Sequence, residues 1–310
     1  MATPHPLRIG TRGSLLAMAQ AHETRDLLGA AFPELAEDGA IEIVEINTTG
    51  DMVQDRPLSE LGGKGLFSKE IDAALLDKRI DIAVHSMKDL ETWIPEGISL
   101  RAALKREDPR DVLITDKADS LDNLPAGSLI GTSSLRRQAQ ILNRRPDLKV
   151  GLFRGNVQTR LRKLAEGEAD ATLLALAGLN RLGKTDVVTE VLEPEVLLPA
   201  VAQGAIGITC RTDDQRSSDF ILAINHQQTM IRVTCERAML DALDGSCRTP
   251  VGGLAELRPD GSLVLRGLVA KADGSEVFET LRQGPVSDGA AMGKDAGDEL
   301  RDRAGPDIFT

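Results

Sequence analysis

The sequence predicts an α/β protein followed by a smaller α+β domain. Three observations carry that reading. Over roughly the first two-thirds of the chain, short apolar runs alternate with longer segments of helical spacing, the pattern of largely parallel sheets covered on both faces. Beyond about residue 225 the runs are separated by Asp-Gly turns instead, which read as an antiparallel meander. The length of 310 residues, with 41% apolar and 27% charged side chains, is enough for two or three cores in an ordinary globular protein.

Taken in order, "LRIGT" (7–11) reads as a strand, and 15–30 carries Leu, Ala and Met at helical spacing. "IEIVEI" (41–46) is β-rich and nearly alternating. Residues 68–78 read as a helix, with Ser68 as N-cap ahead of Ile71, Leu75 and Leu76. "IDIAVHS" (80–86) has the pattern of a buried strand. The theme resumes with "SLIGT" (128–132), a helix from about 135, "KVGLF" (149–153), a helix from about 157, and "ATLLAL" (171–176). "GAIGITCR" (204–211) adds a strand after the proline-bearing "LEPEVLLPAVAQG". A helix over 229–243 leads into the loop "DGSCRTPVGG" (244–253). The meander follows as "GLAEL", "SLVLRGLVA" and "SEVFETL", joined by "RPDG" and "KADG", and a helix over 289–303 closes it. No internal repeat or low-complexity segment stands out.

Composition removes several function classes. The net charge of -11 repels nucleic acid and anionic membranes, and six Phe, one Trp and no Tyr leave few platforms for stacking bases. No segment approaches the roughly 20 apolar residues of a membrane span. The N-terminus shows no run of signal-peptide type. Three cysteines, Cys210, Cys235 and Cys247, form no even framework, and with four scattered histidines they show no zinc spacing. A reducing cytoplasm and no metal are expected.

Against that acidic background, three strand-to-helix turns are basic. "GTRGS" supplies Arg12 and Ser14; "GTSSLRR" supplies Thr132, Ser133, Ser134, Arg136 and Arg137; "FRGNVQTR" supplies Arg154, Asn156 and Arg160. In open α/β sheets ligands sit beyond the carboxyl ends of strands, where helix N-termini offer backbone N–H groups to anions. Arginine adds bidentate recognition of carboxylate or phosphate. Residues 131–163 hold seven Arg and two Lys against one acid. A solvated basic face would explain any one of them, but three alike turns favour a polyanion site. "GGKGLF" (62–67) adds Lys64. "GLNRLGKT" (178–185) fits the P-loop pattern, yet reads better as a short helix ended by Gly183. "DIAVHSMKDL" (81–90) places Asp89 at a strand's carboxyl edge. A turn aspartate paired with Lys88 is one reading; the group that stabilises a developing cation among arginines is the other. His85 reads as a strand-end packing or hydrogen-bonding residue. Glu107, Asp108 and Asp111 in "REDPRD" read as helix-start or inter-domain contacts.

The stretches "LRIGTRGSLLAMAQA", "GGKGLFSKE", "DIAVHSMKD", "REDPRDVL", "GTSSLRRQAQI", "RGNVQTRL", "ATLLALAGLNRLG", "LPAVAQGAIGI" and "GSCRTPVGG" occur in an order and spacing similar to that of the porphobilinogen deaminase (hydroxymethylbilane synthase) family, over essentially the whole chain. The resemblance implies two periplasmic-binding-protein-like α/β domains flanking a cleft, plus a small α+β third domain carrying the cofactor cysteine. The implied boundaries are 1–104 plus 201–224, 105–200, and 225–310. It implies a cytoplasmic, monomeric transferase of haem biosynthesis, with no nucleic-acid or membrane partner. Its substrate would be porphobilinogen, four molecules of which are joined head to tail with release of ammonia to give hydroxymethylbilane. Cys247 would hold a dipyrromethane primer through a thioether. Asp89 would be the catalytic carboxylate, bonding pyrrole N–H groups and stabilising the azafulvenium left as ammonia departs. Arg12, Ser14, Lys64, Lys88, Thr132, Ser134, Arg136, Arg137, Arg154, Arg160 and Arg181 match cofactor- and substrate-binding positions, and Gln203 matches a cleft and hinge position. Two departures stand out: Leu90-Glu91 where the family usually has Val-Pro, and Ala202 where glycine is usual. A two-lobed anion-binding module without catalysis would share the strand-end pattern.

Overall fold

The computed structural model describes residues 5–52, 65–244 and 249–309. Lys64 and Cys247 therefore lie outside the described residues. The chain runs through β1 (Leu7–Thr11), α1 (Leu15–Ala31), β2 (Ile41–Glu45), α2 (Thr49–Met52), α3 (Lys69–Leu76), β3 (Ile82–Ser86) and β4 (Ile98–Ala103). It continues with β5 (Asp111–Thr115), β6 (Leu129–Gly131), α4 (Leu135–Arg144), β7 (Lys149–Gly151), α5 (Val157–Ala165), β8 (Ala171–Ala175), α6 (Leu176–Leu182) and β9 (Glu190–Leu192). Then come β10 (Ile206–Arg211), α7 (Gln215–Ala223), α8 (Gln227–Ala242), β11 (Val251–Leu257), β12 (Ser262–Ala270), β13 (Val277–Pro285) and α9 (Gly289–Ala304). α2, β4, β5, β9 and α7 have no counterpart among the expected elements. Ser68 does precede α3, but its hydroxyl makes no capping bond and turns to Asp72 instead.

The described residues form two compact units, one of 5–52, 65–106 and 205–230, the other of 107–204, 231–244 and 249–309. The first holds a five-stranded sheet of order β2-β1-β3-β10-β4, the second a five-stranded sheet of order β7-β6-β8-β5-β9. Neither is all parallel. β10 runs antiparallel to both its neighbours, and so does β5. The expectation of largely parallel sheets holds for strand direction, since four of the five strands in each run the same way, and the reversed fifth makes each sheet mixed. Each sheet carries its one antiparallel strand in fourth place. Matching place for place, the second unit's chain order β5 to β9 corresponds to β10, β1, β2, β3 and β4 of the first. The two sheets share one strand order, related by a cyclic shift of the chain.

Both faces of each sheet are covered. In β3, Ile82 and Val84 face the cluster of Leu7, Ile9, Ala21 and Leu28, while Ala83 faces Ile71, Leu75 and Ile80. In β5, Leu113 joins Ile130, Ile141 and Leu173 on one side, and Val112 and Ile114 join Leu174 and Leu179 on the other. Strands buried on both faces read as continuous apolar runs rather than alternating ones.

The meander is present as the antiparallel sheet β11-β12-β13. It belongs to the second unit. The β12–β13 turn lies on α4, where Gln138 donates to the Ala272 carbonyl and Asn143 to the Gly274 carbonyl, each at 3.0 Å. Glu236 of α8, fully buried, accepts from the N–H of Ala202 at 2.6 Å and of Ala255 in β11 at 2.8 Å. It ties three segments together, and Ala202 beside it sits in the left-handed region at φ +58°. Glu236→Ala would leave two buried backbone donors without their acceptor. We expect a loss of about 2–4 kcal/mol in a denaturant melt; an unchanged midpoint would contradict the assignment. Among the described residues no helix is long and apolar enough to cross a membrane.

Candidate functional site

The three basic turns each begin a helix with a side-chain cap. Ser14 Oγ accepts from the Ala17 N–H at 3.3 Å, Ser134 Oγ from the Arg137 N–H at 3.4 Å, and Asn156 Oδ1 from the Thr159 N–H at 2.9 Å. Thr132 Oγ1 accepts from the Ser134 N–H at 3.1 Å and shapes the approach to α4. A capping hydroxyl uses an oxygen lone pair, so Ser14 and Ser134 keep their hydrogens as donors.

In the first unit β3 ends at Ser86, and the next residues, Met87–Asp89, make one 3-10 turn. Met87 is buried and anchors that turn, and the Leu90 N–H closes it on the Met87 carbonyl at 3.2 Å. Asp89 Oδ2 lies 3.5 Å from Arg12 Nη1, with the two side chains 30% and 21% exposed. The aspartate's ion-pair partner in this turn is thus Arg12. At this length the pair is a Coulombic contact rather than a close two-point bond, so the carboxylate is not locked. The Arg12 guanidinium stands 4.2 Å from the centre of the Phe67 ring, within the range of a cation–π contact. Lys88 is half-buried in the same turn. His85 is buried and bonds Thr209 Oγ1 at 3.0 Å, as a strand-end histidine should.

In the second unit Arg136 and Arg137 are organised around an acid that the sequence reading placed as a helix-start or inter-domain contact. Asp111, the first residue of β5, is fully buried. Arg137 donates to its Oδ1 through Nη2 at 2.6 Å and Nε at 3.2 Å, Arg136 Nη1 lies 2.8 Å from its Oδ2, and Gln203 Nε2 donates at 3.0 Å. Burial alone would raise the Asp111 carboxyl, but the two arginines and these bonds hold it well below the usual carboxylate range. Arg136 also donates to the Leu198 carbonyl and Arg137 to that of Leu173, each at 2.7 Å. Asp111 therefore opens a strand rather than a helix. The clue to it is stoichiometric: adjacent arginines in a buried helix need an acid nearby.

Ion pairs also account for much of the charge in the basic run. Of the seven arginines in 131–163, five pair with carboxylates: Arg136 and Arg137 with Asp111, Arg144 with Asp122, Arg145 with Asp147, and Arg162 with Glu166. Four of those five pairings draw their acid from outside the run. Arg154, 9% exposed, stands just before the cap of α5, and Arg160 Nε donates to the Gly155 carbonyl at 2.9 Å. Arg181, in the last turn of α6, places both terminal nitrogens 3.2 Å from the Gly204 carbonyl. Gln203 is fully buried and also donates to the Pro109 carbonyl at 2.7 Å. The P-loop reading fails. Gly183 caps α6 in the left-handed region, and Thr185–Val187 form a 3-10 turn where a P-loop would start its helix.

Cys210 and Cys235 are both buried. Burial and then the neighbouring Glu236 charge push the Cys235 thiol up to about 12, and burial raises the Cys210 thiol as well. Among the described residues no group of three or more His, Cys, Asp or Glu could hold a metal ion. A groove of about 640 Å³ between α4 and the β12–β13 face contains none of the expected site residues.

Comparison with known proteins gives a consistent answer. Residues 7–219 match the family model "Porphobilinogen deaminase, dipyromethane cofactor binding domain", and residues 230–302 match "Porphobilinogen deaminase, C-terminal domain". The chain is 59% identical over 305 residues to the chloroplastic porphobilinogen deaminase of Oryza sativa subsp. japonica, covering 98% of this chain and 85% of that protein. It is 57% identical over 305 residues to the porphobilinogen deaminase of Paracoccus denitrificans, covering 98% and 96%. Among solved structures, the methionine binding protein MetQ aligns at 12% identity over 73% of this chain and 93% of that one, with a TM-score of 0.45.

Proposed function

The chain belongs to the porphobilinogen deaminase family, and on that premise we propose which of its residues carry out the family's reaction. That reaction joins four porphobilinogen molecules head to tail with release of ammonia, giving hydroxymethylbilane. Asp89 is the catalytic carboxylate. It accepts the pyrrole N–H of the substrate and opposes the positive charge that grows as ammonia leaves. The observation that carries this assignment is the Asp89–Arg12 pair at the carboxyl edge of β3: an accessible acid held 3.5 Å from a cation, on a turn anchored by buried Met87.

The dipyrromethane group is a polyanion, since each pyrrole unit carries an acetate and a propionate. The donor set fits it: capped helix starts with open N–H groups, hydroxyls and guanidiniums suit carboxylates. When bound, the group supplies the end from which the product chain is extended. Ser14, Lys88, Thr132, Ser134, Arg154 and Arg160 would hold carboxylates of the bound group and substrate, with Lys64 and Arg12. Arg136 and Arg137 would share theirs with Asp111, and Arg181 and Gln203 would brace the segment at 203–204. Covalent attachment through a thioether is assigned to Cys247. The buried, protonated character of Cys210 and Cys235 supports that choice, because a thiolate is needed to form such a bond.

The reading includes a three-domain division at 1–104 plus 201–224, 105–200 and 225–310. It also includes a monomer working in the cytoplasm with no nucleic-acid or membrane partner, in keeping with the net charge of -11. The intact mass of purified active enzyme should exceed the sequence mass by one dipyrromethane unit, and Cys247→Ala should return it to the sequence mass. Active protein of unmodified mass would refute the attachment.

A further inference from the structure

Glu91 marks a departure from the family pattern, and its surroundings give it a task. We propose that Glu91 is a positioning residue for the Arg12–Asp89 pair, acting through the turn that carries Phe67; this rests on the reading of Asp89 as the catalytic carboxylate. The Gly65 N–H donates to Glu91 Oε1 at 3.1 Å. Gly65 has φ +78°, and its carbonyl accepts from the N–H groups of Ser68 at 3.1 Å and Lys69 at 3.0 Å. The turn between them carries Leu66 and Phe67. The Gly50 N–H donates to the Leu66 carbonyl at 2.9 Å, and a Cβ at Gly50 would come within 2.3 Å of the Phe67 ring. Phe67 is thus held from one side by a glycine with no side chain and from the other by a turn tied to Glu91. Its ring supports the Arg12 guanidinium at 4.2 Å, and Arg12 stands 3.5 Å from Asp89.

The contacts close a circuit. Asp89 meets Arg12, Arg12 lies on Phe67, Phe67 rides on the Gly65 turn, and Gly65 bonds Glu91, which is joined to Asp89 through buried Leu90. A hydrogen bond to an ionised acceptor is stronger than a neutral one, so a carboxylate is well suited to pin a backbone N–H. A proline side chain at 91 would offer no acceptor, and the turn would then need another anchor. The added negative charge beside Asp89 is thereby engaged by a backbone donor.

The test uses the full-length holoenzyme with porphobilinogen as substrate. Glu91→Ala should lower kcat about tenfold while KM changes less than about twofold, because small misplacements at a reacting centre cost rate rather than binding. Glu91→Gln keeps an acceptor oxygen and should retain at least about half of kcat, being near neutral in geometry. The double variant Glu91→Ala with Phe67→Leu should be no slower than Phe67→Leu alone, since residues acting in one path are not additive. The single tryptophan, Trp93, is 62% exposed two residues away, and its emission should shift in Glu91→Ala but not in Glu91→Gln. Parent-like kcat in Glu91→Ala, or losses that multiply in the double variant, would overturn the proposal, and if Glu91→Ala proves unstable the Gln variant decides. Asp89→Asn run alongside separates the two readings. An inactive Asp89→Asn with a fully active Glu91→Ala removes only the positioning role, whereas an active Asp89→Asn removes the catalytic assignment and this inference with it.

Discussion

Asp89→Asn should lower kcat by about two to four orders of magnitude, the range for losing a positioned proton-transfer or charge-stabilising group. The substitution keeps the side chain's shape and removes only its charge. The argument is one of placement. The β3 strand is buried on both faces, so its carboxyl end is a fixed point, and the 3-10 turn at Met87–Asp89 projects the carboxylate from it. Arg12 stands at the carboxyl end of β1, which pairs parallel with β3, so the two charges meet because two parallel strands end at one edge. An ammonia molecule leaving porphobilinogen leaves positive charge behind, and a carboxylate already in place needs no reorganisation to oppose it. KM should move far less than kcat, because the interaction strengthens as the charge develops. Thermal stability should change little, since a partly exposed ion pair contributes at most about 1 kcal/mol. Intact mass and Ehrlich colour would verify that the variant still carries the cofactor. A cofactor-bearing Asp89→Asn with parental turnover would sink the assignment.

Much of the first unit was legible because its signals are local. β1, α1 and β3 follow from apolar runs and helical spacing within a few residues, and the Asp-Gly turns announced the meander. β5 was missed although "DVLIT" is apolar, because the charged "REDPRD" that runs into it reads as helix-start or inter-domain contacts, its last residue being the first of the strand. The meaning of Asp111 is non-local: its partners stand 25 and 26 positions away, and only the packing of α4 against β5 brings them together. The correspondence of the two sheets is likewise non-local, since it rests on which strands pair. Glu91 and Ala202 could be flagged only as departures. What they do, bonding Gly65 and taking a left-handed backbone beside Glu236, depends on contacts that no local pattern encodes.

Asp111→Asn should destabilise the second unit by about 3–5 kcal/mol, the cost of breaking a buried pair and leaving charge uncompensated. Here two guanidiniums would be left facing one neutral amide, with Arg136 and Arg137 both buried. For an unfolding unit of this size the loss corresponds to a fall in Tm of roughly 6–20 °C. Because the folded carboxyl is held below its ordinary range, its contribution is complete above the unfolded carboxylate value of about 4 and fades only as pH falls through the lower folded value. The gap in Tm between parent and Asp111→Asn should therefore be the same at pH 7 and pH 5. Asp72 in the first unit behaves in the opposite sense. Burial raises its folded value to about 6, so its contribution is fully present below its unfolded value and is lost as pH rises through about 6; it titrates in both proteins and cancels in the difference. Removing one cation as well, in Asp111→Asn with Arg137→Met, should recover part of the loss, because the two sites share one network. A gap that closes between pH 7 and pH 5, or a double variant no better than the single, would show that the three side chains do not form the charge-balanced group described. If they do, Asp111 sets the orientation of both arginines within the folded unit.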